Sequence, residues 1–329
     1  MHTVDAVLIA ESRLSGIISV LPMSGQRWLV QCVLPNDLVV VDAQLTPIWR
    51  LRLPPGRLGR AAVAEDLSLV ALPQAGHLLL LDPTGRQLTS FPDAPPNGQR
   101  TSFSCGAFTA NGARLWVIVP TGGAVSSATA GQELWLIDVA TRSVLDRRRL
   151  AVTGDDGQLV RHPDGRTIGL LLWVERGAAI GWARAEDDRI DLRITARQDR
   201  VLAAVHPAGM EYLTVSLDGD VELLRKRIGD DRPIGELKAP MICWSQDWGH
   251  QAGYLSGNLI AANSGATDQH LLIGTAPMGL LAEITYPHPR EGAGLFMSGQ
   301  GTWLTATGPL IQRWLLPPSS GEQLQLPAT

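Results

Sequence analysis

Apolar and polar positions alternate along this chain in short bursts. The stretch "GQELWLIDVATRSVLDRRRL" (residues 131–150) shows the unit. An aliphatic run from Leu134 to Ile137 ends at Asp138, a small polar bend follows, and a second aliphatic stretch opens at Val144. Short apolar runs bounded by turn residues predict strands joined as hairpins. Two relatives lie upstream: "DLVVVDAQLTPIW" carries Asp42 at the end of its run, and "HLLLLDPTGRQL" carries Asp82. An Asp at that place suits a tight turn, because its carboxylate can accept from backbone N–H groups two residues along. No stretch shows the period of a long amphipathic helix.

A second landmark is a polar or glycine turn followed by a strand. It recurs at Gly25, Asp66, Gly112, Gly165, Gly209, Gly253 and Gly301, in steps of 41, 46, 53, 44, 44 and 48 residues. Long steps coincide with insertions such as "TGGAVSSATAGQ" at 121–132. A period near forty-five residues with about four short strands in each is the signature of a propeller blade.

Each period parses alike. A small-residue strand comes first: "AAVA" at 61, "SFSCGAF" at 102, "VLAAV" at 201 and "GAGLF" at 292. Such side chains fit the strand nearest a central axis, and Ala62, Ala64, Cys105, Ala107 and Ala204, or their immediate neighbours, are expected to face that axis. The middle strands read as continuous aliphatic runs, buried on both faces. The last strand, as in "RIDLRITA", carries Arg189, Asp191 and Arg193, charges that discourage edge pairing. "SLDGDVEL" sets Asp218-Gly219 between two strands, a hairpin signal.

The chain is therefore read as all-β: a seven-bladed β-propeller of four-stranded antiparallel blades. A single domain is expected over 1–316, closed by residues 3–10 as the outer strand of the last blade, with 317–329 as a C-terminal tail. With its hydrophobic-Asp-x-x-Thr/Gly outer hairpins and the "HPDG" turn at 162–165, the chain resembles the bacterial propellers of the WD-repeat-like and quinoprotein-dehydrogenase-like superfamilies. The resemblance is architectural. Only Asp42 and Trp49 approximate the tryptophan-docking repeat of the quinone-binding enzymes, so it implies a fold and no cofactor.

Composition narrows the function classes. The chain has 329 residues, 45% of them hydrophobic and 18% charged, with 34 Gly and 22 Pro. That is enough for a sizeable core with many turns. A net charge of −4 disfavours general nucleic-acid binding. Lys226 and Lys238 are the only lysines among 28 basic residues. The arginine excess reads as the codon bias of a GC-rich bacterial genome. Cys32, Cys105 and Cys243 match no metal spacing and read as buried small hydrophobes in a reducing compartment. The start of the chain lacks a basic region before its apolar run, and no apolar stretch reaches about 18 residues. A cytoplasmic location and no membrane contact are expected.

Catalytic and metal motifs do not stand out. His162 and His206 occupy equivalent "HPDG" and "HPAG" turns, where a structural role outweighs ligation. The ten tryptophans fall mostly on strands, where packing between blades is their expected role. "APMICWSQDWGHQAGYL" at 239–255 gathers Trp244, Asp247, Trp248 and His250 and is a candidate recognition surface. The loops entering successive innermost strands carry Arg13, Arg60, Arg100, Arg200, Lys238 and Arg290. If these loops share one face, five of the cations (Arg60, Arg100, Arg200, Lys238 and Arg290) ring an axial mouth suited to an anion. The leading expectation is a ligand- or protein-binding module using that mouth for an anionic group. Its partner would be an anionic small molecule or a protein at one propeller face. The alternative is an enzyme, a lyase, cyclase or hydrolase, acting on an anionic small molecule there. No metal or cofactor is expected.

Overall fold

The structure is a computed structural model. It describes residues 2–33, 35–54, 59–74, 77–92, 105–121, 131–153, 157–174, 177–195, 199–217, 222–230, 232–238, 252–263, 270–288 and 294–317. Arg100, Asp218-Gly219, Cys243, Trp244, Asp247, Trp248, His250 and Arg290 lie outside these residues, as does all of the expected tail beyond 317.

Strands β1 (Thr3–Asp5) and β2 (Val7–Arg13) precede the first sheet, made of β3 (Ile17–Pro22), β4 (Trp28–Cys32), β5 (Asp37–Val41) and β6 (Pro47–Arg52). The second sheet is β7 (Ala62–Val63), β8 (Val70–Gln74), β9 (His77–Leu81) and β10 (Gln87–Pro92). The third is β11 (Cys105–Phe108), β12 (Arg114–Thr121), β13 (Gly131–Asp138) and β14 (Ser143–Thr153). The fourth is β15 (Gly157–Arg161), β16 (Thr167–Val174), β17 (Gly177–Glu186) and β18 (Arg189–Ile194). The fifth is β19 (Arg200–Val205), β20 (Glu211–Ser216), β21 (Glu222–Arg227) and β22 (Pro233–Lys238). The sixth is β23 (Ala252–Tyr254), β24 (Leu259–Asn263), β25 (His270–Thr275) and β26 (Met278–Thr285). The seventh joins β27 (Gly294–Met297), β28 (Thr302–Thr307) and β29 (Leu310–Leu315) to β2. The chain is thus all-β, with seven blades of four antiparallel strands. The middle strands β4 and β5 are buried throughout, as their unbroken aliphatic runs predict.

The described residues group into two compact units, Leu51–Val201 on one hand and Met1–Arg50 with Leu202–Thr329 on the other. In the first unit, β11 lies against both β7 and β15. Ala62 and Ala64 pack with Phe108, Leu115 and Trp135, while Cys105 and Ala107 pack with Trp116, Ile168 and Leu170. Of the residues expected near an axial opening, or their immediate neighbours, Gly106 and, in the other unit, Ala204 are half-buried. Ala62, Ala64, Cys105 and Ala107 are 0–4% exposed, and Val63 between the two alanines is fully buried. Side chains leave a strand perpendicular to its sheet, so those of a first strand point at neighbouring sheets. Small residues there let sheets approach closely.

In the other unit, the sixth-period landmark is also corrected. Gly253 lies in β23, and the turn is at Ser256 to Asn258. A Cβ on Gly253 would stand 2.5 Å from Met297 Cγ. Its glycine therefore serves close packing between first strands.

The expected closing strand, residues 3–10, divides in two. Residues Val7–Arg13 pair antiparallel with β29 as the outer strand of the seventh sheet. Residues Thr3–Asp5 instead add a fifth, parallel strand to β26 of the sixth. Ala6 and Val4 are buried, and Val4 joins Ile284, Trp303 and Trp314 in one apolar cluster. The aromatic groups there are also satisfied: Trp303 Nε1 donates to Tyr286 Oη at 3.0 Å and Trp314 Nε1 to Thr305 Oγ1 at 3.0 Å.

Two arginines tie sheets together within this unit. Arg313, the fourth residue of β29, is 3% exposed. Its Nη1 donates to Ala43 O at 2.5 Å, and its Nη2 donates to Gln26 Oε1 at 2.5 Å and to Thr302 Oγ1 at 3.2 Å. Burial pulls its pKa down, and the nearby Asp42 carboxylate opposes that. Arg225, the fourth residue of β21, repeats the arrangement: it donates to Thr275 O in the sixth sheet and, at 2.6 Å, to Glu211 Oε2. Glu211 and Thr302 both open the second strand of their sheets.

Two outcomes follow for stability. Deleting residues 1–5 removes Val4 from its cluster and should cost about 2 kcal/mol, whereas deleting residues 1–13 uncovers β29 and should abolish cooperative unfolding in urea. Equal effects of the two deletions would contradict the divided strand. Replacing Arg313 with Met strands the acceptors of Ala43, Gln26 and Thr302 and should cost about 2–4 kcal/mol. Replacing the exposed Arg184 with Gln should leave the urea midpoint nearly unchanged.

Candidate functional site

In the first six sheets one end holds both the turn between the first and second strands and the turn between the third and fourth. These turns are built by short polar side chains. Asp42 Oδ1 accepts from Gln44 N at 2.8 Å and Thr46 N at 2.9 Å. Asp82 Oδ1 accepts from Thr84 N at 2.9 Å and Thr84 Oγ1 at 2.6 Å. The Thr84 hydroxyl, with the backbone bonds behind it, holds the Asp82 pKa down at about 2. Asp138 accepts from Thr141 N at 2.6 Å and Thr141 Oγ1 at 2.7 Å. The carboxylates thus supply the acceptors that the bent backbone needs.

The two HP turns follow the same logic. His162 Nδ1 accepts from Asp164 N at 3.2 Å, and His206 Nδ1 accepts from Ala208 N at 3.0 Å. His206 Nε2 is also 3.0 Å from Gly257 O in the next sheet. Both histidines therefore shape turns, as their shared setting predicts. Among the described residues no group of three His, Cys, Asp or Glu is placed to hold a metal.

A cleft of ≈ 440 Å³ opens at the turn end between the third and fourth sheets. Thr109, Asn111 and Arg114 line it from the third sheet, and Asp164, Arg166 and Asp187 from the fourth. Arg114 pairs with Asp138 in its own sheet and with Asp188 Oδ1, at 3.0 Å, in the fourth. Ala110 N donates to Gly165 O at 3.3 Å. A Cβ on Gly165, which has φ +68°, would stand 2.5 Å from that of Ala110. The left-handed backbone and the close approach together call for glycine.

Asp164 is the most constrained acid of the cleft. Partial burial pushes its pKa up. Hydrogen bonds from Thr167 N (2.8 Å), Thr167 Oγ1 (2.7 Å) and Arg166 N (2.9 Å) outweigh this and bring it to about 2. The cleft thus keeps fixed charges of both signs on a rigid frame. Such a surface can orient the polar groups of a partner.

The residues expected from sequence lie elsewhere. Arg60 is exposed just before β7, and its backbone bridges to Cys105. Arg200 opens β19 and is half-buried; Lys238 closes β22, exposed, 3.5 Å from Glu236. Arg60 stands on a different sheet. The cleft residues went unnoticed because each reads as part of a turn. A usable signal was present: in adjacent periods an arginine closely follows the turn glycine, Arg114 two residues after Gly112 and Arg166 one after Gly165.

No family model matches the chain, and no curated protein matches its sequence. Among solved structures, 1203 chains match it. One is the β-propeller domain of Cps50 (Swd1) from Myceliophteria thermophila, with a TM-score of 0.63 at 12% identity, covering 95% of this chain and 100% of that domain. No helix among the described residues is long and apolar enough to cross a membrane. The chain is a seven-bladed β-propeller.

Proposed function

We propose that the chain is a binding module that presents the turn ends of its sheets to a protein partner. The observation that carries this reading is the cleft between the third and fourth sheets, already fixed by the Arg114–Asp188 and Ala110–Gly165 contacts. A surface ordered in advance loses little conformational entropy on binding. Its exposed Asp164, Arg166 and Asp187 offer contacts of both signs, which favour specificity over raw affinity. The shared propeller architecture supports a binding role by analogy only.

The test is affinity capture from a lysate of the source cells, comparing the natural chain with an R166E/D187R variant. Both exchanges are at exposed positions, so the melting temperature should stay within about 2 °C. The variant should lose the partner that the natural chain retains. Capture that is undiminished, or no capture by the natural chain, overturns the reading.

A second reading gives Arg60, Arg100, Arg200, Lys238 and Arg290 an anionic group to bind. It is favoured by the recurrence of a cation at the entry to successive innermost strands in the sequence. Phosphate or citrate at about 100 times its dissociation constant should then add about 2.7 kcal/mol of stability. High salt should blunt the effect, and an R60Q/R200Q variant should remove it. A flat thermal-shift response to both anions eliminates this second reading.

A further inference from the structure

The outer strand of the third sheet carries Arg147, Arg148 and Arg149 in succession, all exposed. Successive side chains leave a strand on opposite faces. Arg148 turns toward the fourth sheet, where its Nε donates to Ile190 O at 3.1 Å and lies 3.2 Å from Asp146. Arg147 and Arg149 share the other face. The Arg147 guanidinium sits 4.2 Å over the ring of Trp135, its direct cross-strand neighbour. Arg149 stands opposite Glu133, whose carboxylate instead accepts from Trp135 Nε1 at 2.9 Å.

The strand is regular at this point. Register shifts flank it on both sides, and Asp146–Leu150 pairs without a break with Gln132–Leu136. Strand β14 ends its sheet, and no described strand pairs with its outer edge. Along it the Arg147 N–H is already taken, donating to Asp146 Oδ1 at 2.7 Å, which leaves the Arg147 carbonyl and, two residues on, the Arg149 N–H and carbonyl facing outward. The edge also offers two cations two residues apart, about 6.7 Å along the strand.

We propose that this edge takes up an extended acidic segment of a partner protein by strand addition, with alternate carboxylates of the segment facing Arg147 and Arg149. An added strand has the same two-residue repeat, so each carboxylate meets one guanidinium. The arginine fork can hold a carboxylate through two hydrogen bonds. Stacking on Trp135 leaves Arg147 with little freedom to lose on binding. Charges on an edge strand repel a second copy of the same edge. The same charges admit a strand of opposite sign. This surface is separate from the turn-end cleft, and each stands without the other.

The test uses the full chain and fluorescein-labelled hexapeptides read by fluorescence anisotropy. Thr-Glu-Val-Glu-Val-Thr places its acids on one face of a strand. Thr-Val-Glu-Glu-Val-Thr has the same composition with the acids on opposite faces. The first should bind at least ~fivefold tighter than the second, and more weakly as salt rises from about 50 to about 300 mM. An R147Q/R149Q variant should lose binding by ~tenfold or more, while R189Q on the fourth sheet should not. Replacing the central Val by Pro should abolish binding, since proline cannot donate to a ladder. Equal binding of the two peptides, no binding at millimolar peptide, indifference to the double variant, or tighter binding of a twelve-nucleotide oligothymidine would overturn the proposal.

Discussion

Among the described residues, neighbouring sheets exchange few backbone bonds, so something directional must supplement their apolar contact. Arginine supplies it. Arg313 reaches from the seventh sheet to the Ala43 carbonyl of the first, and Arg225 from the fifth to the Thr275 carbonyl of the sixth. Arg148 and Arg114 tie the third sheet to the fourth through Ile190 and Asp188. Hydrophobic burial brings faces together but does not fix their angle or offset. A planar fork with several donors does both, and a lysine ammonium on a flexible stem would do it poorly. The scarcity of lysine in the chain, read from sequence as codon bias, thus acquires a physical use at these positions.

Much of the fold was legible because strands and tight turns are local. The Asp42, Asp82 and Asp138 turns and the aliphatic middle strands could be read from a few residues each. What required the third dimension was misread. Gly253 carries the same letter as the turn glycines at 112, 165 and 209, yet it is there because Met297 from another sheet comes close. Residues 3–10 form one apolar run in sequence, but the chain crosses between two sheets at Ala6. The alanines of the first strands read as a sign of crowding between blades, and Ala62 and Ala107 do pack against neighbouring sheets. The cleft stayed hidden for a related reason: its residues come from three turns, and none is unusual alone.

The turn end is made of carboxylate-capped bends whose hydrogen bonds are nearly all internal. At Gly165 even a methyl group would collide with the neighbouring turn. Such an end is suited to presenting a fixed pattern of charge.

The pairing of Val7 with Leu315 has a consequence for biosynthesis. Roughly 300 residues separate the two partners, so at ~5–20 residues per second the ribosome needs about 15–60 s to deliver the second after the first. Throughout that interval Val7 and Leu8 have no strand to join. The seventh sheet cannot be completed before its third strand has left the exit tunnel. Termination anywhere before residue 310 therefore leaves Val7–Arg13 without the strand it pairs with in the folded chain.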